Sequence, residues 1–136
     1  MATLKQTRKP LVAVVDDDAS IRDTTTDLLD SAGFRTATFA SAEAFLKSPR
    51  RANVAALIAD MRMAGMSGFA LHQRLVSAGN PIPTILVTAY PDDAVRARAL
   101  EAGVSCYLAK PFAAEELLAC VGTAITAGQQ RAIRGR

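Results

Sequence analysis

Four short apolar runs in this 136-residue chain each end in a polar residue suited to phosphate and a divalent cation. LVAVV runs into Asp16, Asp17 and Asp18, ALIA into Asp60, TILV into Thr88, and the run through Tyr107 into Lys110 and Pro111. Crowded carboxylates repel one another and resist ionisation unless a cation neutralises them. Magnesium suits such a group, because it takes oxygen ligands from one or two carboxylates, keeps several waters and bridges to phosphate. Asp16 and Asp17 are the metal candidates, with Asp60 able to join them, while Asp18 caps the following helix or faces water. Asp60 is also a possible nucleophile that would form an aspartyl phosphate. Lys110 supplies an ammonium for phosphate and Thr88 a hydroxyl, and small Ala89 leaves the mouth open to a phosphodonor.

Such convergence requires the four run ends to share one edge, and the pattern of elements provides it. Continuous apolar runs read as buried parallel strands, and open α/β sheets bind ligands outside the carboxyl ends of their strands. Strands are predicted at 11–16, 35–39, 54–59, 84–88 and 104–109. Helices are predicted at 20–32, 41–47, 68–77 and 92–102, and a last one starts near Ala113. Five βα units without a hairpin signal imply an α/β fold, a doubly wound parallel sheet with helices on both faces. Pro49, Arg50 and Arg51 mark a surface connection, and Met61, Met63 and Met66 enrich the loop after Asp60.

The pI near 9.2 invites a nucleic-acid reading. However, Lys5, Arg8, Lys9, Arg131, Arg134 and Arg136 place six positive charges in the two ends, leaving ten basic against thirteen acidic residues between them. No helix carries a basic stripe with interleaved aromatics, so DNA binding is not expected. No apolar stretch approaches the ~18–20 residues of a membrane helix, and MATLKQTRKP has no apolar block behind its charges. The reading is a cytoplasmic protein without membrane contact, in which Cys106 and Cys120 are buried reduced thiols.

VVDDDASIRD, IADMRMAGMSGF, ILVTAY and YLAKPF, in this order and spacing, resemble the receiver domain of two-component response regulators over residues 10–126. The resemblance implies a flavodoxin-like sheet of order 2-1-3-4-5. It implies that Asp60 is the phosphoacceptor and that Asp16 and Asp17 organise Mg²⁺ (or Mn²⁺), with the Arg62 carbonyl as a backbone ligand. Thr88 is the switch hydroxyl, Lys110 the lysine of the site, Tyr107 an aromatic that turns inward on activation, and Lys110–Pro111 a cis peptide. Arg62 and Tyr90 flank the site, where receivers tune phosphate hydrolysis. One departure stands out. Similar receivers read D-x-R-M-P-x-M-S-G after the phosphoacceptor, and here Ala64 takes the proline's place, leaving the loop freer.

The implied partners are a sensor histidine kinase or phosphotransfer protein and a downstream protein target, reached through the face of the fourth helix, fifth strand and fifth helix. Residues 1–9 and a basic 127–136 are expected to be flexible ends, in a single-domain regulator or a receiver piece of a longer one. The oligomeric state is left open. Such a chain promotes phosphate transfer onto itself and its later hydrolysis without turning over a separate substrate. His72, alone on a helix, reads as a surface or packing residue. A flavin protein of this architecture would want backbone donors after the first strand, where three carboxylates stand instead. An aspartyl phosphatase would want an acid at position 62. The remaining alternative is a phosphate-independent receiver-like interaction module.

Overall fold

The computed structural model describes residues 9–134 in backbone. Residues 1–8, most of the expected N-terminal segment, lie outside the described residues, as do residues 135–136. Strands β1 (Leu11–Val15), β2 (Arg35–Phe39), β3 (Val54–Asp60), β4 (Thr84–Thr88) and β5 (Cys106–Ala109) alternate with helices α1 (Ala19–Ser31), α2 (Ala42–Lys47), α3 (Gly68–Ser77), α4 (Asp93–Glu101) and α5 (Ala114–Arg134). All strands pair in parallel, in the order β2-β1-β3-β4-β5. This is the doubly wound, flavodoxin-like arrangement that the sequence motifs imply.

Side-chain alternation along the strands divides the core into two layers. Ala13, Val15, Leu57, Ala59 and Leu86 face α2, α3 and α4 through Phe45, Leu71, Leu75 and Ala99. Val12, Val14, Ala56, Ile58, Ile85 and Val87 face α1 and α5 through Leu29, Leu117, Val121 and Ile125. Both faces of the central strands are therefore covered, which is why their sequences are continuous apolar runs. Burying each large side chain such as Leu29 or Phe45 contributes about 1.5–3 kcal/mol. His72 belongs to this packing: it is buried on α3, its ring lies parallel to that of Phe69, and burial pulls its pKa down.

Local chemistry explains most boundaries. Asp18, Ser41, Ser67 and Asp92 cap α1 to α4, each accepting from backbone N–H groups of the first turn. Gly33, at φ +95°, ends α1 in the left-handed conformation that glycine adopts without penalty. The connection at Pro49–Asn53 is a short 3₁₀ turn. The last helix continues through Arg134, past residue 126, so the stretch read as a basic tail is helical there. Ala127, Gln129, Gln130, Ala132 and Ile133 lack any helix breaker that would stop it earlier, apart from the tolerated Gly128.

The cysteines require a correction. Cys106 on β5 and Cys120 on α5 form a disulfide, with their Cα atoms 6.2 Å apart. Sequence spacing gave no sign of it, because the pairing arises only when α5 folds back over the edge strand. Among the described residues no helix is long and apolar enough to cross a membrane.

Gly68 links the fold to the chemistry. It starts α3 directly beneath β3, where an added Cβ would stand 2.5 Å from the Asp60 carbonyl oxygen. Gly68→Ala should therefore destabilise the fold by about 1–3 kcal/mol in urea denaturation, because backbone must move. Gly122→Ala, at an exposed α5 position with open space around the added carbon, should instead stabilise by about 0.5–1 kcal/mol.

Candidate functional site

Parallel pairing places the carboxyl ends of β1, β3, β4 and β5 on one edge, and each end carries a polar residue: Asp16, Asp60, Thr88 and Lys110. Asp16, Asp60 and Thr88 are buried, an unusual state for such groups, and each requires partners. Oxygen atoms from Asp16, Asp17 and Asp60 all lie within 4.8 Å of one another. Lys110 joins them: its Nζ is 3.1 Å from Asp16 Oδ2 and 3.4 Å from Asp60 Oδ2. The Lys110–Pro111 peptide bond is cis.

Each carboxylate is also oriented by the backbone. Asp16 Oδ1 accepts the Asp18 N–H at 2.9 Å, and Asp60 Oδ1 accepts the Arg62 N–H at 3.4 Å. Asp17, exposed at the rim, accepts the Ala64 N–H at 3.3 Å through Oδ2. A proline at position 64 would have no N–H to give, so this bond exists because the sequence departs from the receiver pattern there. The next turn of the same loop is held from α2, where Glu43 Oε2 accepts the Met66 N–H at 3.1 Å. Gly65, at φ +83°, brings the loop close enough that a Cβ would meet Glu43 Oε2 at 2.9 Å. Arg22 also donates to the Asp16 carbonyl at 2.6 Å.

The electrostatics follow from this crowding. Burial, and then the neighbouring Asp16 charge, raise the Asp60 pKa above its ordinary value of 3.8, although Lys110 and the Arg62 N–H pull the other way. For Lys110 burial acts to lower the pKa, but its hydrogen bond and charge contact with Asp16 and its attraction to Asp60 outweigh it and raise the value. The ammonium is thus held charged between two acids that it only partly neutralises. The donor set is all hard oxygen, which fits Mg²⁺ or Mn²⁺ and not a soft metal.

Of the residues singled out from sequence, Asp16, Asp17, Asp60 and Lys110 come together directly. Thr88 is buried at the end of β4, where its Oγ1 accepts the Tyr90 N–H at 3.0 Å and its carbonyl accepts the Lys110 N–H at 2.7 Å. Arg62 and Tyr90 meet at the mouth, with the guanidinium 4.6 Å from the ring centroid. Tyr107 lies on the α4 side of β5, and its hydroxyl accepts the N–H of Asp92, the cap of α4, at 3.3 Å. Sequence reasoning missed Glu43 as a loop anchor. Its place just after Ser41 suggested only a role in starting α2. A groove of about 820 Å³ lined by Lys9, Arg35, Pro83 and Gly128 lies at the opposite edge of the sheet, away from all of this chemistry.

Comparison with known proteins agrees with the geometry. The family pattern described as response regulator receiver domain matches residues 12–122. The transcriptional regulatory protein FixJ of Bradyrhizobium diazoefficiens is 35% identical over 119 residues, covering 88% of this chain and 58% of that protein. The transcriptional regulatory protein TdiR of Thauera aromatica is 35% identical over 132 residues, covering 97% of this chain and 58% of its own length. The chain thus spans well under two thirds of these relatives. Among solved structures, response regulator StyR superposes with a TM-score of 0.85 at 38% identity, covering 93% of this chain and 64% of that one. The structure of FixJ-N gives a TM-score of 0.77 at 30% identity, covering 88% of this chain and 95% of that one. A family pattern that takes in most of the sequence, on a fold shared with solved response regulators, settles the family: this chain belongs to the response regulator receiver domains of two-component systems.

Proposed function

We propose that the chain is a phosphorylation-dependent signalling switch. Asp60 accepts a phosphoryl group from a sensor histidine kinase or phosphotransfer protein, and the α4–β5–α5 face passes the change to a downstream protein target. The observation that carries this reading is the Lys110 ammonium set between Asp16 and Asp60, with Asp17 completing an acidic trio. A merely structural ion pair has no use for two further carboxylates at the same point. In this reading the receiver body is residues 10–126, and the protein works in the cytoplasm.

An Asp60 oxygen attacks phosphorus as the bond to the donor's leaving group breaks, so the carboxylate becomes an acyl phosphate. Such a transfer depends on positioning and on neutralising charge rather than on proton movement by the protein. Asp16, Asp17 and Asp60, with the Arg62 carbonyl, would hold a divalent ion, which would offset the charge of the acids and of the incoming phosphate. Lys110 releases its hold on Asp60 and pairs with a phosphoryl oxygen. Thr88 turns its hydroxyl from the Tyr90 N–H toward another. The space that Thr88 leaves lets Tyr107 move inward and give up its bond to Asp92, which frees the start of α4. Arg62 stacked on Tyr90 flanks the mouth, where the pair either screens attacking water or steers the donor.

Population arithmetic limits this relay: carrying a 1:99 mixture to 99:1 takes about 5.5 kcal/mol. One new hydrogen bond contributes about 0.5–1.5 kcal/mol, so Lys110, Thr88 and the metal must act together. A phosphate-independent interaction module would need none of these groups.

Incubation with Mg²⁺ and acetyl phosphate should add the mass of one phosphoryl group to the protein, and Asp60→Asn should abolish the gain. An unmodified wild-type mass would leave only the inert module.

The raised Asp60 pKa also sets a stability trend. Below the unfolded value near 3.8 both states are protonated and Asp60 costs nothing. As pH rises through the raised folded value, stability is lost, since the unfolded chain ionises more easily. Metal-free Asp60→Asn should therefore be more stable than wild type in urea at pH 7, with the gap closing toward the acid end and shrinking when Mg²⁺ is added.

The loop bearing Ala64 gives a third expectation. Glu43→Ala should weaken Mg²⁺ binding about tenfold in calorimetric titration, the usual scale for an outer residue that orients a metal site. Glu43→Gln should restore it, because an amide oxygen still accepts from Met66. In an Ala64→Pro background, where the ring itself stiffens the loop, Glu43→Ala should cost less.

A further inference from the structure

Cys106 and Cys120 take no part in the phosphoryl site. Cys106 opens β5, the edge strand whose single neighbour is β4, and Cys120 sits in the second turn of α5. Both are half-buried, so neither is sealed in the core. Packing does not need their bond. Leu108, Phe112 and Leu118 already join β5 and the start of α5 to the layer of Leu117 and Val121.

The position of the pair is what gives it a use. Consecutive residues of β5 face opposite ways, so Cys106 meets α5 while Tyr107 meets the α4 side. One edge strand is thus tied to α5 by a covalent bond and to α4 by the Tyr107–Asp92 hydrogen bond. Little else fixes α4, in which Ala99 is the one buried residue. The disulfide lies directly behind the aromatic group that the switch is read to move.

We propose that Cys106–Cys120 is a thiol–disulfide exchange site that sets how readily this receiver responds to phosphorylation. The inference rests on the phosphoryl-switch reading above. In the reductive direction a thiolate of a dithiol reductant attacks one cysteine sulfur and the Cys–Cys bond breaks, leaving a mixed disulfide. The reductant's second thiolate then displaces that cysteine. Two electrons pass to the pair, the two protons given up by the reductant end on the cysteine thiols, and the reductant leaves as its own disulfide. A glutathione-type disulfide reverses the sequence. The bond closed in the resting geometry holds the β5 and α5 Cα atoms 6.2 Å apart. Any activated arrangement that shifts β5 against α5 is then disfavoured in the oxidised protein and released in the reduced one. Linkage makes the effect mutual: occupancy of the phosphoryl site eases reduction of the pair.

The test uses the full chain oxidised with glutathione disulfide or reduced with dithiothreitol, its state read by iodoacetamide adducts in mass spectrometry. The expected counts are none and two. Beryllofluoride with Mg²⁺ is then titrated and followed by ¹⁹F resonance. The oxidised form should bind at least about fivefold more weakly, the lower end of typical couplings. The Cys106→Ser/Cys120→Ser double variant should bind like the reduced form whether or not reductant is present. Equal affinity in the two redox states overturns the proposal, as does a chain that takes up two adducts after oxidation. If beryllofluoride binds neither form, the phosphoryl reading itself fails, and the adduct counts still report the thiol chemistry separately.

Discussion

One ammonium shared between two buried carboxylates is the constraint on which this structure turns. Lys110 reaches Asp16 and Asp60 at 3.1 and 3.4 Å, yet a third acid, Asp17, brings a carboxylate oxygen within 4.8 Å of oxygens of those two. The rim holds more negative charge than its lysine cancels. Burial makes this costly, and the raised Asp60 pKa is the direct expression of that cost. A site so arranged has the hard-oxygen donors that suit a further cation. It is also ready to exchange partners, because the lysine can leave Asp60 for another anion without leaving Asp16.

The fold exists to bring those charges together, and its symmetry is simple. Parallel strands all end on the same edge, so residues up to 94 positions apart in the chain, Asp16 and Lys110, become hydrogen-bonded neighbours. The two apolar layers fix the strands from either side and leave the edge to the loops. The loop after β3 is the exception to passive support. Asp17 and Glu43 grip its N–H groups at Ala64 and Met66, supplying by hydrogen bonds the order that a proline would have supplied by its ring.

Much of this could be read from the residues. Strand positions were legible because β1, β3 and β4 are covered on both faces and so are apolar throughout. The convergence of polar side chains on one rim was legible because they stand where four runs stop. What escaped was whatever depends on contacts between distant elements. The backbone N–H of Ala64 carries no label in a sequence, and Glu43 beside a helix cap has a sufficient local explanation. The Cys106–Cys120 bond requires knowing that α5 returns over the edge strand. The length of α5 escaped for a different reason: the basic residues of its last turns suggested a solvated end, whereas Ala127, Gln129, Gln130 and Ala132 are good helix formers.

A structure of the chain with Mg²⁺ and beryllofluoride would decide whether the rim works as described. The account predicts the ion at about 2.0–2.1 Å from oxygens of the Asp16, Asp17 and Asp60 group. It also predicts beryllium bonded to Asp60 and the Lys110 ammonium moved from Asp60 onto a fluoride. An ion bound elsewhere, with Lys110 still resting on an unmodified Asp60, would contradict it.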